Sequence, residues 1–415
     1  MTRPPRRILH LVALTGVFAI SVVATLSWAW TGGVDQLGIP YGPAPVPSSA
    51  TPSTAPPASP SPSASVVPPS SAPVSPAPPA AAAPSPTQSS PAAAKPRDCR
   101  TGEKLVPTCG VLWGVAPGAF TDKRGKQALA SFEEKTERHQ DVYHAYHKGT
   151  KQLFPTDQEI EIAREPGRER ILFLNWKPQG ATWAEIAAGD KKTDKFLDKL
   201  AAHINKNFPE QFFFTVHHEA EDNVKEKKGS GYTAADYAAM YKYVVKRLRA
   251  HGVDNLVTVL VHMAYVPHTS EKWFEKMYPG DSVVDWIGFD TYAYSDPGYG
   301  HGDFAELLNR QASNKPDWPG FYNWATRKHP GKPLMVAEWG VWSSKKNPAH
   351  KAEFYREVGK QIGRFPKIRA LIHFDTPHNQ DGRDSSVDAT HESLKAYRKL
   401  GKLPIFQVEV RPLLP

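Results

Sequence analysis

The sequence predicts an α/β protein built on a (β/α)8 TIM barrel, preceded by a transmembrane or signal segment and a disordered Pro-rich linker. Three observations predict it. Beyond residue 110, apolar runs of strand length alternate with amphipathic helical text, the pattern of βα units. There are eight such runs, at residues 111–116, 141–147, 171–178, 212–219, 256–263, 283–292, 334–340 and 369–376, and their near-continuous apolarity suits parallel strands covered on both faces. The roughly 300 residues from Cys99 onward can hold eight strand–helix pairs around one core. A doubly wound open sheet would want a Gly-rich phosphate loop after the first strand, and Ala116-Pro117-Gly118-Ala119 is too short a match.

The chain divides into residues 1–31, 32–98, 99–405 and a C-terminal tail at 406–415. Residues 8–30 are apolar apart from five polar side chains, follow Arg3, Arg6 and Arg7, and are long enough to cross a bilayer. The arginines stay in the cytoplasm, so all that follows is exported. The segment reads either as an uncleaved anchor in the plasma membrane or as a signal peptide removed near Ser27-Trp28-Ala29. The protein is therefore expected outside the cell or at its surface.

Residues 41–98 hold 18 of the 40 prolines, with no aromatic residue after Tyr41 and almost no charge, so they cannot offset chain entropy by apolar burial. They read as an extended Pro/Ala/Ser linker. Cys99 and Cys109 enclose nine residues where the ordered chain begins, and in an exported protein they pair as a local disulfide. A redox pair would want the C-x-x-C spacing.

Composition narrows the function. Of 51 basic and 42 acidic residues, five and two respectively lie through residue 98, which leaves 46 against 40 in the folded part. No unbroken basic tract appears, so nucleic acid is not an expected partner. The helical text at 233–251 shows the segmentation well. Tyr237, Met240, Tyr241, Val244, Val245 and Leu248 form a buried stripe, Thr233 and Asp236 a capping-box signal, and Gly252 a stop. A second helix is expected at 350–365, closed by Pro366.

Barrels carry their reactive groups at the C-terminal ends of strands. There, strand four runs into His217-His218-Glu219-Ala220-Glu221-Asp222, and strand seven into Glu338-Trp339-Gly340. A glutamate ending an apolar strand is costly unless it faces a polar site, and two strands on opposite sides of the barrel each carry one. Glycosidic hydrolysis needs this pair, one carboxyl to protonate the leaving oxygen and one to attack or stabilise the sugar cation. A zinc reading of His217, His218, Glu219 and Asp222 fails on geometry. Adjacent strand residues point to opposite faces, and position 222 is Asp where the His-Glu-x-x-His motif needs His. No G-x-S-x-G occurs, and both cysteines lie at the domain edge.

At these residues the sequence resembles the clan A glycoside hydrolases. His218-Glu219 with Val336-Ala337-Glu338-Trp339-Gly340, together with Phe173-Leu174-Asn175-Trp176-Lys177-Pro178 and Val284-Asp285-Trp286-Ile287-Gly288-Phe289-Asp290-Thr291-Tyr292, is similar to family 26, the mannanase family. The resemblance implies Glu219 as general acid/base and Glu338 as nucleophile, with Tyr292 donating a hydrogen bond to Glu338. It implies that His218 contacts the sugar or orients Glu219, and that Trp176, Trp339 and Trp342 offer flat faces to sugar rings. His262, ending strand five, is a further substrate-binding candidate, as is His147 after strand two; Trp113, Trp286 and Trp324 read as core. Two departures bear on the sugar: Ala220-Glu221-Asp222 stands where family members carry Met-Asn-Gly, and strand eight ends His373-Phe374-Asp375-Thr376 where many clan members place a Trp. The expected activity is that of a monomeric, retaining hydrolase of a β-mannan or β-glucan type polysaccharide, endo-β-mannanase-like, with no cofactor and no metal. The alternative is a noncatalytic glycan- or wall-binding barrel, which would not need both glutamates.

Overall fold

The computed structural model describes residues 99–298, 302–379 and 382–411. The expected membrane or signal segment and the linker lie outside the described residues. Eight parallel strands close into a barrel in sequence order. They are β1 (Leu112–Pro117), β2 (Val142–Lys148), β3 (Ile171–Lys177), β4 (Phe212–Val216), β5 (Leu256–Met263), β6 (Trp286–Tyr294), β7 (Leu334–Trp342) and β8 (Ile368–Asp375). The helices are α1 (Gly125–Thr136), α2 (Asp157–Ala163), α3 (Trp183–Ala187), α4 (Lys191–Asn207), α5 (Ala234–Ala250), α6 (Val266–Thr269), α7 (Phe304–Leu308), α8 (Phe321–Lys328), α9 (His350–Gln361) and α10 (His391–Gly401).

Helix starts follow their capping chemistry. Thr233 accepts from the Asp236 amide and receives the Asp236 side chain on its own, so α5 begins where the sequence expected. Strand faces alternate as period two requires. Val257, Val259 and Val261 of β5 fill the lumen with Phe213, Met335 and Ile372, while Leu256 and Leu260 pack outward against the helices. Gly114 and Gly288 line the lumen because a Cβ at either would overlap the neighbouring strand's valines.

The largest differences from the expected strand bounds are in β4, β6 and β7. β4 stops at Val216, three residues early, because His217 and Glu219 both take positive φ and turn the chain over the barrel mouth. β6 begins at Trp286 after a short 3-10 turn at Asp281–Val283, and β7 runs on to Trp342. The helix expected at 350–365 is α-helical only to Gln361, its last turn tightening to 3-10 form.

At the opposite end, residues 99–110 form a hook closed by the Cys99–Cys109 disulfide. Leu105 is buried beneath the lumen side chains, and Trp286 Nε1 donates to the Lys104 carbonyl at 2.9 Å. Residues 406–411, expected as a tail, pack onto this end: Phe406 is fully buried and the Glu409 amide donates to the Cys99 carbonyl at 2.8 Å.

Candidate active site

The two expected glutamates meet at the C-terminal mouth. A β-bulge brings Glu338 there. Val336 pairs with Phe289 and Glu338 with Asp290, which leaves Ala337 as an extra residue and turns Glu338 into the lumen. Its carboxylate receives two phenol hydroxyls, Tyr292 on Oε2 at 2.7 Å and Tyr146, from the end of β2, on Oε1. His218 Nε2 lies 3.5 Å from Glu338 Oε1 and 3.9 Å from Glu219 Oε2, so both carboxyls flank one imidazole nitrogen. With Asn175 Nδ2 donating to His218 Nδ1, the ring proton sits on Nε2, facing the two acids.

Local structure explains the second glutamate's place. The left-handed turn at His217 and Glu219 is pinned by His217, whose Nδ1 accepts from Trp183 Nε1 at 3.0 Å and whose Nε2 donates to Asn223 Oδ1 at 2.8 Å. The ring therefore faces out of the barrel, and His218 takes the inward position.

Burial and mutual repulsion sort the acids by protonation. Burial pushes Glu219 well above the ordinary carboxylate range, and the charges of Glu338, Asp222 and Glu221 push it further. Burial also raises Glu338, to about 7, against the two tyrosine hydroxyls, which favour its ionised form. Asp290, buried beside Glu338 with neither oxygen hydrogen-bonded to a described residue, is raised by burial and by the same two glutamates. Burial and the charge of Lys177 lower His218 to about 3, so the ring is neutral. Of the two glutamates, Glu338 is the one whose ionised form is favoured by hydroxyl donors, and Glu219 is the one pushed further toward its protonated form by its acidic neighbours.

Among the described residues, His218, Asp290 and Glu338 form the one group whose donor atoms, within 4.8 Å of one another, could hold a metal ion. Of these donors, both Glu338 oxygens already accept from tyrosine hydroxyls.

The aromatic candidates divide. Trp342 reaches the mouth, stacked on Tyr292 with ring centroids 4.9 Å apart, and Phe374 of β8 completes that wall. Trp176 and Trp339 do not. Trp176 is buried against Phe196 of α4 and Trp339 against Trp113 and Tyr355, because Asn175 and Glu338 take the inward positions beside them. His262 also faces outward, bonded to Glu221 at 2.7 Å among Phe274, Phe321 and Trp324. His147 pairs with Glu159 at 3.0 Å outside the lumen. Trp113, Trp286 and Trp324 are core, as expected. Tyr146 was not anticipated; its signal was a place at the end of β2, two residues beyond His144 on one face. Asn175 and Asp290 stood in recognised motifs without an assigned role.

The glycosyl hydrolase family 26 model matches residues 185–313. No curated protein matches the chain in sequence. Among solved structures, a family 26 β-mannanase from Bacteroides ovatus is similar at 17% identity and a TM-score of 0.50, over 74% of this chain and 91% of that one. A Bacillus subtilis mannanase aligns at 14% identity, with a TM-score of 0.47, over 73% and 87%. An endo-β-1,4-mannanase from Cellulomonas fimi aligns at 15% and 0.45, over 74% and 75%. The likeness to the Bacteroides enzyme shows the shared barrel. The matched span carries His218, Glu219 and Tyr292 on that barrel, and over that span the chain is similar to glycoside hydrolase family 26.

Proposed function

We propose that the protein hydrolyses a β-mannan type polysaccharide with retention of configuration, in the manner of an endo-β-mannanase. One observation carries the mechanism: Glu338, with a hydroxyl donor on each oxygen, and Glu219 flank a single histidine nitrogen. Glu338 attacks the anomeric carbon while Glu219 gives its proton to the departing glycosidic oxygen. The resulting glycosyl ester is then cleaved by water, which Glu219, now a base, deprotonates. Oxygens of both acids within reach of one nitrogen suit the spacing of about 5 Å that double displacement uses. The mannan assignment draws on the family match and on the Bacteroides β-mannanase that shares the barrel.

Further parts of the reading rest on the sequence. The barrel from residue 99 onward would be the catalytic domain, working as a monomer outside the cytoplasm, tethered by residues 8–30 or released by their cleavage. The Cys99–Cys109 disulfide supports export, since such bonds persist in oxidising compartments. No helix among the described residues is long and apolar enough to cross a membrane. A barrel that only bound glycan would have no use for both glutamates. Glu338→Ala and Glu219→Ala are each expected to abolish release of reducing ends from β-mannan while the far-UV circular dichroism stays unchanged. Full activity in either variant would overturn the assignment.

A further inference from the structure

Just past Glu219 the chain sends an acid into the protein interior. The segment Ala220–Asn223 is a short 3-10 turn entered at Glu219 with φ 51° and closed by the Val224 amide donating to the Glu221 carbonyl at 3.1 Å. Bonds of this kind are poorly aligned, so the turn does not by itself fix the aim of its first residue. Side chains tie it down. Asp222 Oδ1 lies 2.8 Å from His268 Nε2 at the rim, and Glu221 Oε1 lies 2.7 Å from His262 Nδ1 in the interior.

The two ties differ in burial. Asp222 and His268 are partly exposed, where a charge pair contributes little, whereas the side chains of Glu221 and His262 are 0% and 2% exposed. The His262 ring lies among Phe274, Phe321 and Trp324 at centroid distances of 4.8 to 5.8 Å, so water does not compete for its bond. Burying a carboxylate there is costly, and two apolar side chains of similar volume would fill the same space without that cost. Neither Glu221 Oε2 nor His262 Nε2 has a hydrogen-bond partner among the described residues. Stability is therefore a poor account of the pair.

Its place in the fold gives a better one. His262 is carried by β5, which is hydrogen-bonded to β4 on one side and in register with β6 on the other, so the ring belongs to the rigid barrel wall. Glu221 belongs to the turn. The bond between them refers the turn to the wall, and Glu219 stands two residues back along that turn. The proton donor must come within hydrogen-bond reach of the oxygen it protonates, and a misplacement of about 1 Å can cost about 100-fold. We propose that Glu221, anchored by His262, is the positioning residue that aims the acid/base Glu219 at the departing glycosidic oxygen.

The inference rests on the hydrolase reading, and the test separates the two. In the full chain, Glu221→Met and His262→Phe together exchange the pair for apolar side chains, and the Tm is expected to stay within a few degrees. The quantity measured is kcat/KM, which covers the steps up to the glycosyl ester. One substrate is β-1,4-mannohexaose, whose leaving oxygen needs a proton; the other is 2,4-dinitrophenyl β-mannobioside, whose phenolate departs without one. The hexaose value is expected to fall about 10- to 100-fold and the aryl value to stay within about threefold. Glu221→Gln, whose amide oxygen still accepts the His262 bond, should restore most of the hexaose value. Unfolding of the double variant, or equal losses on both substrates, would make the pair a structural prop and overturn the proposal. An unchanged hexaose value, or a Gln variant as impaired as the double one, would overturn it too. Glu219→Ala on the same two substrates tells the failures apart. If it loses the hexaose and keeps the aryl substrate while the pair variant does not, only the positioning role falls; if it keeps the hexaose or loses both alike, the acid/base reading of Glu219 falls with it.

Discussion

Glu338 takes one phenol hydroxyl on each oxygen, and each stabilises the ionised form over the acid. Removing either donor raises the Glu338 pKa further above its ordinary range. On the proposed mechanism the attack needs Glu338 ionised, so the acid limb of the kcat/KM profile must then move to higher pH. For Tyr292→Phe and Tyr146→Phe the expected shift is about one pH unit, with kcat/KM near pH 6 reduced about 10- to 100-fold and a smaller deficit at higher pH. A pH-rate series on β-mannan checks this; an unmoved acid limb would show that the hydroxyls do not tune the nucleophile. Only one of the two tyrosines was legible beforehand. Tyr292 ends a recognisable motif, whereas Tyr146 sits in Val142-Tyr143-His144-Ala145-Tyr146-His147, where both faces are aromatic and a one-residue slip of register exchanges them. Alternation could have removed Trp176 and Trp339 from the sugar platform, since Asn175 and Glu338 beside them point inward.

The eight strands were legible as elements because each is a short apolar run bounded by polar helical text, but their endings at the site were not. β4 ends in two non-glycine residues at positive φ, a conformation no local propensity favours. The bulge at Ala337 likewise follows from pairing with β6, which a single strand's text does not contain. What holds the β4 turn is side-chain bonding from another element: Trp183, the first residue of α3, donates to His217. Trp183→Phe leaves His217 Nδ1 buried and unpaired, which costs about 1–3 kcal/mol. The expected outcome is a lower urea midpoint together with a drop in kcat, because the same turn carries His218 and Glu219. A midpoint that falls with kcat preserved would show that the turn keeps its shape without this bond.

Across the whole molecule, the reactive end and the stabilising end of the barrel are separate. The mouth gathers the acids, while the far end is closed by the 99–110 hook, with Leu105 under the lumen and the Thr101 amide donating to the Glu409 carbonyl at 3.1 Å. The disulfide was legible from two cysteines ten residues apart, but the union of the first and last described residues was not, since it joins segments some 300 positions distant. Closing so short a loop removes entropy from the unfolded chain, a stabilisation of about 2–3 kcal/mol on the chain-entropy account. Cys99→Ser with Cys109→Ser should therefore lower the Tm by several degrees. A reductant should bring the unsubstituted protein down to the same value and leave the double variant unmoved. Mannan hydrolysis at 25 °C should persist in the variant, because the hook lies at the end of the barrel away from Glu338. Loss of that activity in a variant still folded at 25 °C would mean that the two ends are coupled through the lumen side chains.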